Sequence, residues 1–78
     1  MAPRKHRLTN RIKTLRFHAG EMTQKELAAR IGVTRQTLNA IERAKYSPSL
    51  EVAFQIAAVF QVPLEDVFQY EELAKTSR

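Results

Sequence analysis

The apolar residues of this chain recur at the three- and four-residue spacings that are typical of amphipathic helices. The clearest pattern runs from Thr23 to Glu42, where two short apolar stretches are joined at Gly32. We predict helices over about residues 24–31 and 35–43, within a single domain of five helices. A chain of 78 residues is long enough for one modest core and too short for a second.

Both of these short helices have a capping residue at their start. Residues 23–26 read TQKE, the form of a capping box, in which the Thr23 hydroxyl accepts from the Glu26 amide and the Glu26 carboxylate accepts from the Thr23 amide. Thr34 can cap the second helix, which begins at Arg35. Gly32 lies between them, where a helix end needs a residue that tolerates positive φ. Two short helices joined in this way indicate a helix-turn-helix motif.

The polar side chains of the second helix match the hydrogen-bonding edges of DNA bases. Arg35 can donate two parallel bonds to guanine, and Gln36 can both donate to and accept from adenine. The Thr37 methyl can touch a thymine methyl, and Asn39 is a further polar residue outside the apolar stripe. A solvated helix face would present the same residue types. The capping box, the glycine and the charge distribution together favour DNA.

Charge is distributed unevenly along the chain, whose formal net charge is +5. Residues 1–48 hold eleven Lys or Arg against three Asp or Glu, whereas residues 49–78 hold two against five. The basic half contains the predicted motif, and contacts to phosphates supply most of the sequence-independent affinity for DNA. A membrane surface explains the charge less well, because the apolar residues are already required by a core.

The composition argues against several other classes of function. The chain has no Cys, which excludes disulfides and thiolate metal sites. His6 and His18 lack a metal-ligand spacing, and we interpret both as surface residues or phosphate neighbours. No nucleophile, base and metal set falls within one site, so we expect neither catalysis nor a cofactor. The basic residues 1–7 precede no apolar run of signal or membrane-spanning length, so we expect a cytoplasmic protein.

Three further helices are predicted around the motif. The first covers roughly residues 10–18 and ends near Gly20, and the last, over residues 64–68, has Pro63 in a position that suits its first turn. Between them Ser49 can cap a longer helix whose broad apolar surface suggests burial on more than one side. The apolar residues of that helix are Leu50, Ala53, Phe54, Ile56, Ala57, Ala58 and Phe60.

Four runs of the sequence carry a resemblance to a known family. They read TQKELA from Thr23, GVTRQTLNAIE from Gly32, KYSPSL from Lys45 and VPLEDVF from Val62. The first two resemble the Xre family of Cro/C1-type repressors, and the last two look like its short stand-alone members, including the cytolysin-type repressors. The resemblance covers about residues 10–70.

The resemblance implies an all-α, five-helix, lambda-repressor-like domain that binds operator DNA. In such a domain the helix that begins at Arg35 enters the major groove. The implied function is that of a sequence-specific regulator of transcription, and we expect a repressor that binds a palindromic site in double-stranded DNA as a homodimer. No small-molecule ligand is implied.

Roles for individual residues follow from the resemblance. The residues implied to face bases are Arg35, Gln36, Thr37 and Ala40, to which the polar pattern adds Asn39. The residues implied to contact phosphates or groove edges are Gln24, Thr34, Arg43, Lys45, Tyr46 and Ser47. A buried ion pair between Arg16 and Glu42 would tie the first helix to the end of the second motif helix. Ala40 can offer a methyl contact but no hydrogen bond.

The two ends of the chain leave alternatives open. Residues 7–9 and 68–72 can pair as a small antiparallel sheet, or the last helix can fray on through Leu73. We therefore expect residues 1–9 to be a basic arm or a short strand, residues 10–70 to be the domain and residues 71–78 to be a tail. The arm can lie along phosphates, enter a minor groove or remain solvated.

A homodimer is expected on geometric grounds, because one short recognition helix reads only about half of a site. The best candidate interface is the apolar excess near the end of the chain, which comprises Val62, Pro63, Leu64 and Phe68. The alternative function is an antitoxin or co-regulator module whose main partner is another protein. Such modules usually carry an extra segment that wraps the partner, and few residues follow Tyr70 here.

Overall fold

The structure is a computed structural model that describes residues 6–72. Within these residues, five helices pack around one core and two strands pair with each other. The elements in chain order are β1 (His6–Asn10), α1 (Ile12–His18), α2 (Gln24–Ile31), α3 (Arg35–Glu42), α4 (Leu50–Phe60), α5 (Leu64–Val67) and β2 (Phe68–Glu72). Residues 1–5 of the predicted arm and residues 73–78 of the predicted tail lie outside the described part of the chain.

The two strands form a small antiparallel sheet, so the all-α expectation was incomplete. Leu8 lies opposite Tyr70 in this sheet, and Thr9 lies opposite Gln69. The predicted alternative, in which the last helix frays on through Leu73, is wrong because the backbone becomes extended at Phe68, with φ −121° and ψ 138°. The backbone groups of residues 68–72 thereby gain partners on β1 instead of partners within a helix.

Asn10 ends β1, so α1 begins at Ile12 and not at Asn10 as predicted. The Asn10 Oδ1 atom accepts a hydrogen bond of 3.1 Å from the Ile12 amide, which would otherwise be one of the unpaired amides of a helix start. Its Nδ2 atom donates to the carbonyl oxygen of Ile41 at 2.9 Å. One side chain therefore connects the sheet, α1 and the last turn of α3.

The capping predictions for the two motif helices are confirmed. The Thr23 hydroxyl accepts from the Glu26 amide at 3.0 Å, and the Glu26 carboxylate accepts from the Thr23 amide at 2.9 Å. Gly32 ends α2 in the left-handed conformation, with φ +75°. The Thr34 hydroxyl then accepts from the Thr37 amide at 3.0 Å and so opens α3. The turn between α2 and α3 is therefore determined by local hydrogen bonds and one glycine.

The predictions for α4 and α5 were partly correct. Ser49 caps α4, with its hydroxyl accepting from the Val52 amide at 3.1 Å. α4 buries one face only, because Leu50 is 68% exposed and Phe54 is 54% exposed. α5 ends one residue before the predicted end, because Phe68 belongs to β2.

The core lies between α2, α3 and α4, and Ile12 of α1 and Val67 of α5 complete it. Its buried apolar residues are Ile12, Leu27, Ala28, Ile31, Leu38, Ile41, Ala53, Ile56, Ala57 and Val67. No helix in residues 6–72 is both long enough and apolar enough to cross a bilayer.

Candidate DNA-binding surface

α3 is anchored by two apolar side chains and presents its polar side chains to solvent. Leu38 is fully buried and Ile41 is 1% exposed, one helical turn apart. The side chains of Arg35, Gln36 and Asn39 are exposed on the same helix. A helix held in this way can offer a fixed set of polar groups to a ligand without giving up its packing.

Two shallow depressions lie along the exposed side of α3. The first has a volume of about 350 Å³ and is lined by Gln24, Arg35, Gln36 and Asn39. The second has a volume of about 240 Å³ and is lined by Gln36, Thr37, Ala40 and Tyr46. The structure therefore brings the five predicted base-facing residues together on one surface and places Tyr46 beside them. The first depression is lined by polar side chains, and the second by methyl groups and an aromatic ring as well as Gln36.

The two threonines at the start of α3 are hydrogen-bonded to each other. The Thr34 hydroxyl donates to the Thr37 hydroxyl at 3.0 Å, in addition to accepting from the Thr37 amide. Both hydroxyls therefore take part in capping the helix. What Thr37 most readily offers to a ligand is its methyl group, beside Ala40.

Arg16 and Glu42 lie beneath this surface and form a bidentate ion pair. Arg16 Nε donates to Glu42 Oε2 at 2.7 Å, and Arg16 Nη2 donates to Glu42 Oε1 at 3.0 Å. The remaining guanidinium nitrogen, Nη1, donates to the carbonyl oxygen of Met22 at 2.8 Å. The side chains are 14% and 7% exposed, respectively. The pair therefore joins α1, the loop before α2 and the end of α3 in a largely dehydrated site.

Gln24 extends this network from the start of α2 to the exposed side of α3. Its Nε2 atom donates to Glu42 Oε1 and to Asn39 Oδ1, each at 3.1 Å. The two N–H groups of this amide are thus used within the protein, so a phosphate at this helix end would meet backbone N–H groups. Sequence reasoning did not predict the contact between Gln24 and Asn39, because no spacing rule relates residues on two different helices.

The predicted phosphate-contacting residues after α3 lie in an exposed turn. Arg43 caps α3, and Ala44 takes the left-handed conformation, with φ +60°, before the chain turns toward α4. The Lys45 amide donates to the carbonyl oxygen of Ala40 at 2.9 Å, which ties the turn back to α3. The exposed residues of this turn are Arg43, Ala44, Lys45, Tyr46 and Ser47.

Backbone amides add donors at the start of α2. The capping box uses the Thr23 and Glu26 amides. The amides of Gln24 and Lys25 have no acceptor among residues 6–72, as is usual in the first turn of a helix. Together with the positive end of the helix dipole, they favour an anion at this position.

Comparison with known proteins agrees with this geometry. The helix-turn-helix family model HTH_3 matches residues 12–67, which include all five helices. An uncharacterised HTH-type transcriptional regulator of Methanocaldococcus jannaschii is 48% identical over 66 residues, which cover 83% of this chain and 97% of the relative. The HTH-type transcriptional regulator YgzD of Bacillus subtilis, also uncharacterised, is 45% identical over 65 residues, with 83% and 97% covered.

A solved structure shows the same fold. The crystal structure of a candidate DNA-binding protein from Bacteroides fragilis matches with a TM-score of 0.69 and 24% identity, over 80% of this chain and 98% of that one. The family model covers most of the chain, and the relatives share close to half of the aligned residues. The chain therefore belongs to the Xre (Cro/C1-type) family of helix-turn-helix transcriptional regulators.

Proposed function

We propose that this protein is a transcriptional repressor that binds a palindromic operator in double-stranded DNA as a homodimer. The observation that carries the proposal is the exposed polar side of α3, where Arg35, Gln36 and Asn39 stand above the buried anchors Leu38 and Ile41. An α-helix fits the major groove, and these side chains can form hydrogen bonds with base edges there. The repressor role rests on the resemblance to Cro/C1-type proteins. A cytoplasmic location remains a prediction.

We assign two kinds of contact to the predicted site residues. The base-reading group is Arg35, Gln36, Thr37, Asn39 and Ala40. The phosphate-contacting group is Gln24, Thr34, Arg43, Lys45, Tyr46 and Ser47. Within the second group, Gln24 acts through its backbone amide, since its side-chain N–H groups already have acceptors. Phosphate contacts fix the register of the protein on the duplex, and base contacts supply the specificity.

The domain that performs this function is proposed to span residues 10–70. We assign the ion pair of Arg16 and Glu42 to its structure, because the pair joins three segments at a site with little exposure. In this proposal residues 1–9 and 71–78 lie outside the domain, although β1 begins before residue 10 and β2 ends after residue 70.

The homodimer is proposed to form through the apolar segment around α5. Val62, Leu64 and Phe68 are half-buried, and each packs only partly against the core. Pro63 beside them is exposed. A second copy can cover the remaining apolar area about a two-fold axis, which would place two α3 helices on one face of the duplex.

The second candidate function is a module whose main partner is another protein, such as an antitoxin or a co-regulator. The observation that favours it is the pair Leu50 and Phe54, which are exposed on α4. Large exposed apolar side chains on one helix face fit a protein partner better than they fit DNA. This function can coexist with DNA binding, because α3 remains accessible.

The test is a selection of duplexes from a random DNA library at near-physiological salt, run with the wild type and with Arg35→Ala. The proposal predicts a palindrome with half-sites about one helical turn apart, and loss of one position of each half-site with the variant. Binding that is salt-sensitive but shows no sequence preference would instead favour a protein as the main partner.

A further inference from the structure

The chain of hydrogen bonds that starts at Arg16 ends on a base-reading residue. Arg16 donates to Glu42, Gln24 donates to the same carboxylate, and Gln24 also donates to Asn39. The side chains of Arg16 and Glu42 have little exposure, whereas Asn39 is exposed on α3. A largely buried ion pair is thus connected to the proposed DNA-binding surface through a single glutamine.

The chemistry of these groups determines which way each amide points. Arginine only donates hydrogen bonds, and an ionised carboxylate only accepts them. The end of the Gln24 amide that faces Glu42 must therefore be its NH₂ group. That nitrogen has a second proton, which it gives to Asn39 at 3.1 Å, so the Asn39 atom in contact must be its oxygen. The Asn39 NH₂ group is left to point away from Gln24.

We propose that Arg16 and Glu42, acting through Gln24, hold the Asn39 amide with its oxygen toward Gln24 and its NH₂ group outward, and thereby make Asn39 favour guanine over adenine in the major groove. This inference rests on the proposed function, because it concerns how that function reads sequence. No acceptor among residues 6–72 takes the Asn39 N–H groups. Asn39 is the base-reading residue of this pathway, and Gln24 is a positioning residue.

The preference for guanine follows from the donors and acceptors of the base edges. A free asparagine pairs with adenine by accepting from N6 and donating to N7. The Asn39 oxygen is turned toward Gln24, which uses one of its two lone pairs, so this oxygen is poorly placed to accept from N6 while the NH₂ group donates to N7. Guanine presents two acceptors, N7 and O6, whereas adenine presents N7 beside the donor N6.

Arg35 lines the same depression as Asn39, and its guanidinium group only donates hydrogen bonds. An edge made only of acceptors can take hydrogen bonds from both of these side chains, whereas the N6 donor of adenine would need an acceptor from Gln24 or Gln36, which line the same depression. A phosphate is likewise acceptor-only, so the test must distinguish a base edge from the backbone.

The test measures binding of the duplex selected by the wild type and of duplexes in which each guanine is replaced in turn by adenine or by 7-deazaguanine. The variants are Gln24→Met, which keeps the length of the side chain but removes its hydrogen bonds, Asn39→Ala and the double variant. Lys25→Met is the matched control, because Lys25 is exposed on the same helical turn and has no part in the network.

At one guanine of each half-site, Gln24→Met should lower the preference for guanine over adenine by about threefold to tenfold, the effect of one hydrogen bond. Lys25→Met should not change that preference, and Gln24→Met should have no further effect in the Asn39→Ala background. An unchanged preference in Gln24→Met overturns the proposal. The proposal is also overturned if Gln24→Met changes the guanine preference equally with Asn39 and with Ala at that position. A third contrary result is that Gln24→Met weakens binding equally for every base and changes only the salt dependence, as loss of a phosphate contact would.

A measurement on the free protein separates this proposal from the proposed function. The side-chain amide protons of Gln24 should exchange with solvent more slowly than those of the exposed Gln36, as measured by NMR. If the side-chain amide protons of Gln24 and Gln36 exchange at equal rates, the proposed orientation of the Gln24 amide is wrong, whether or not specific DNA binding is found. Equal affinity for all duplexes, with slow exchange at Gln24, would overturn the proposed function and the guanine preference but would leave the orientation standing.

Discussion

Asn10 and Ile41 are joined by a hydrogen bond of 2.9 Å from the Asn10 Nδ2 atom to the Ile41 carbonyl oxygen, across 31 positions of sequence. The same amide donates more weakly to the carbonyl oxygen of Glu42, at 3.4 Å. The last carbonyls of a helix lack partners within it, and here a strand residue supplies one. The end of α3 is therefore held by the sheet as well as by the core.

Asn10→Ala should lower the free energy of unfolding by about 1 to 3 kcal/mol, because it leaves partly buried backbone groups unsatisfied. Urea denaturation measures this change. Asn10→Asp is the matched control that separates the two hydrogen bonds of the Asn10 side chain. It keeps the oxygen that accepts from the Ile12 amide but removes the NH₂ group that donates to Ile41. An Asp variant as stable as the wild type would show that the bond to Ile41 contributes nothing.

Removing only one partner of the ion pair between Arg16 and Glu42 should destabilise the fold. Arg16→Met removes the charge that balances Glu42, whose side chain is 7% exposed, and should lower the free energy of unfolding by about 3 to 5 kcal/mol. The double variant Arg16→Met/Glu42→Met removes both charges and should recover much of this loss, because no charge is then left without a partner. If the free energy of unfolding of Arg16→Met were within about 0.5 kcal/mol of the wild-type value, the change would be that of an ordinary surface substitution. This result would contradict the structural role assigned to the ion pair.

Local features of this fold could be predicted from the sequence because their causes lie within a few residues of one another. Thr23 and Glu26 form a capping box three residues apart, and Gly32 takes positive φ at the end of the helix that they begin. Pairing of the termini could not be decided, because its partners are about 60 residues apart in sequence and residues 68–72 also suited a frayed helix. Long-range partners must be known before such a segment can be assigned.

The candidate site could be predicted only in part, for the same reason. The polar residues of α3 follow from the apolar stripe on its other side, so their exposure was foreseeable. The breadth of the apolar surface on α4 did not reveal that Leu50 and Phe54 would stay exposed. The contact between Gln24 and Asn39 depends on how α2 and α3 cross, which neither helix encodes alone.

The proposed dimer interface predicts that substitutions of Leu64 and Leu50 have different effects on dimer formation. Leu64→Asp should dissociate the dimer and weaken operator binding, because it places a charge in the contact that Val62, Leu64 and Phe68 would form. Leu50→Asp is the matched control on the exposed face of α4 and should leave the dimer intact. Sedimentation velocity at micromolar concentration measures the association, and circular dichroism measures the helix content of each variant.

If Leu64→Asp stays dimeric and helical, the interface lies elsewhere. If Leu50→Asp dissociates the dimer instead, the exposed face of α4 forms the interface, and the apolar pair on it belongs to a second copy of the chain. Loss of helix content in Leu64→Asp would show that this half-buried residue is needed by the core, and Pro63→Asp, at an exposed position, would then repeat the test.

The division between base contacts and phosphate contacts predicts two kinds of binding defect. Arg35→Ala should cost about 1 to 3 kcal/mol on the preferred duplex and relax the preference at one position of each half-site. Lys45→Ala should weaken all duplexes alike and reduce the slope of log affinity against log salt by about one per subunit. Fluorescence anisotropy with the preferred duplex and a scrambled duplex, over a series of salt concentrations, measures both quantities. If Arg35→Ala weakened the two duplexes equally and lowered the salt slope as Lys45→Ala does, Arg35 would be a phosphate contact, and the assignment of α3 as the base-reading helix would lose its main support.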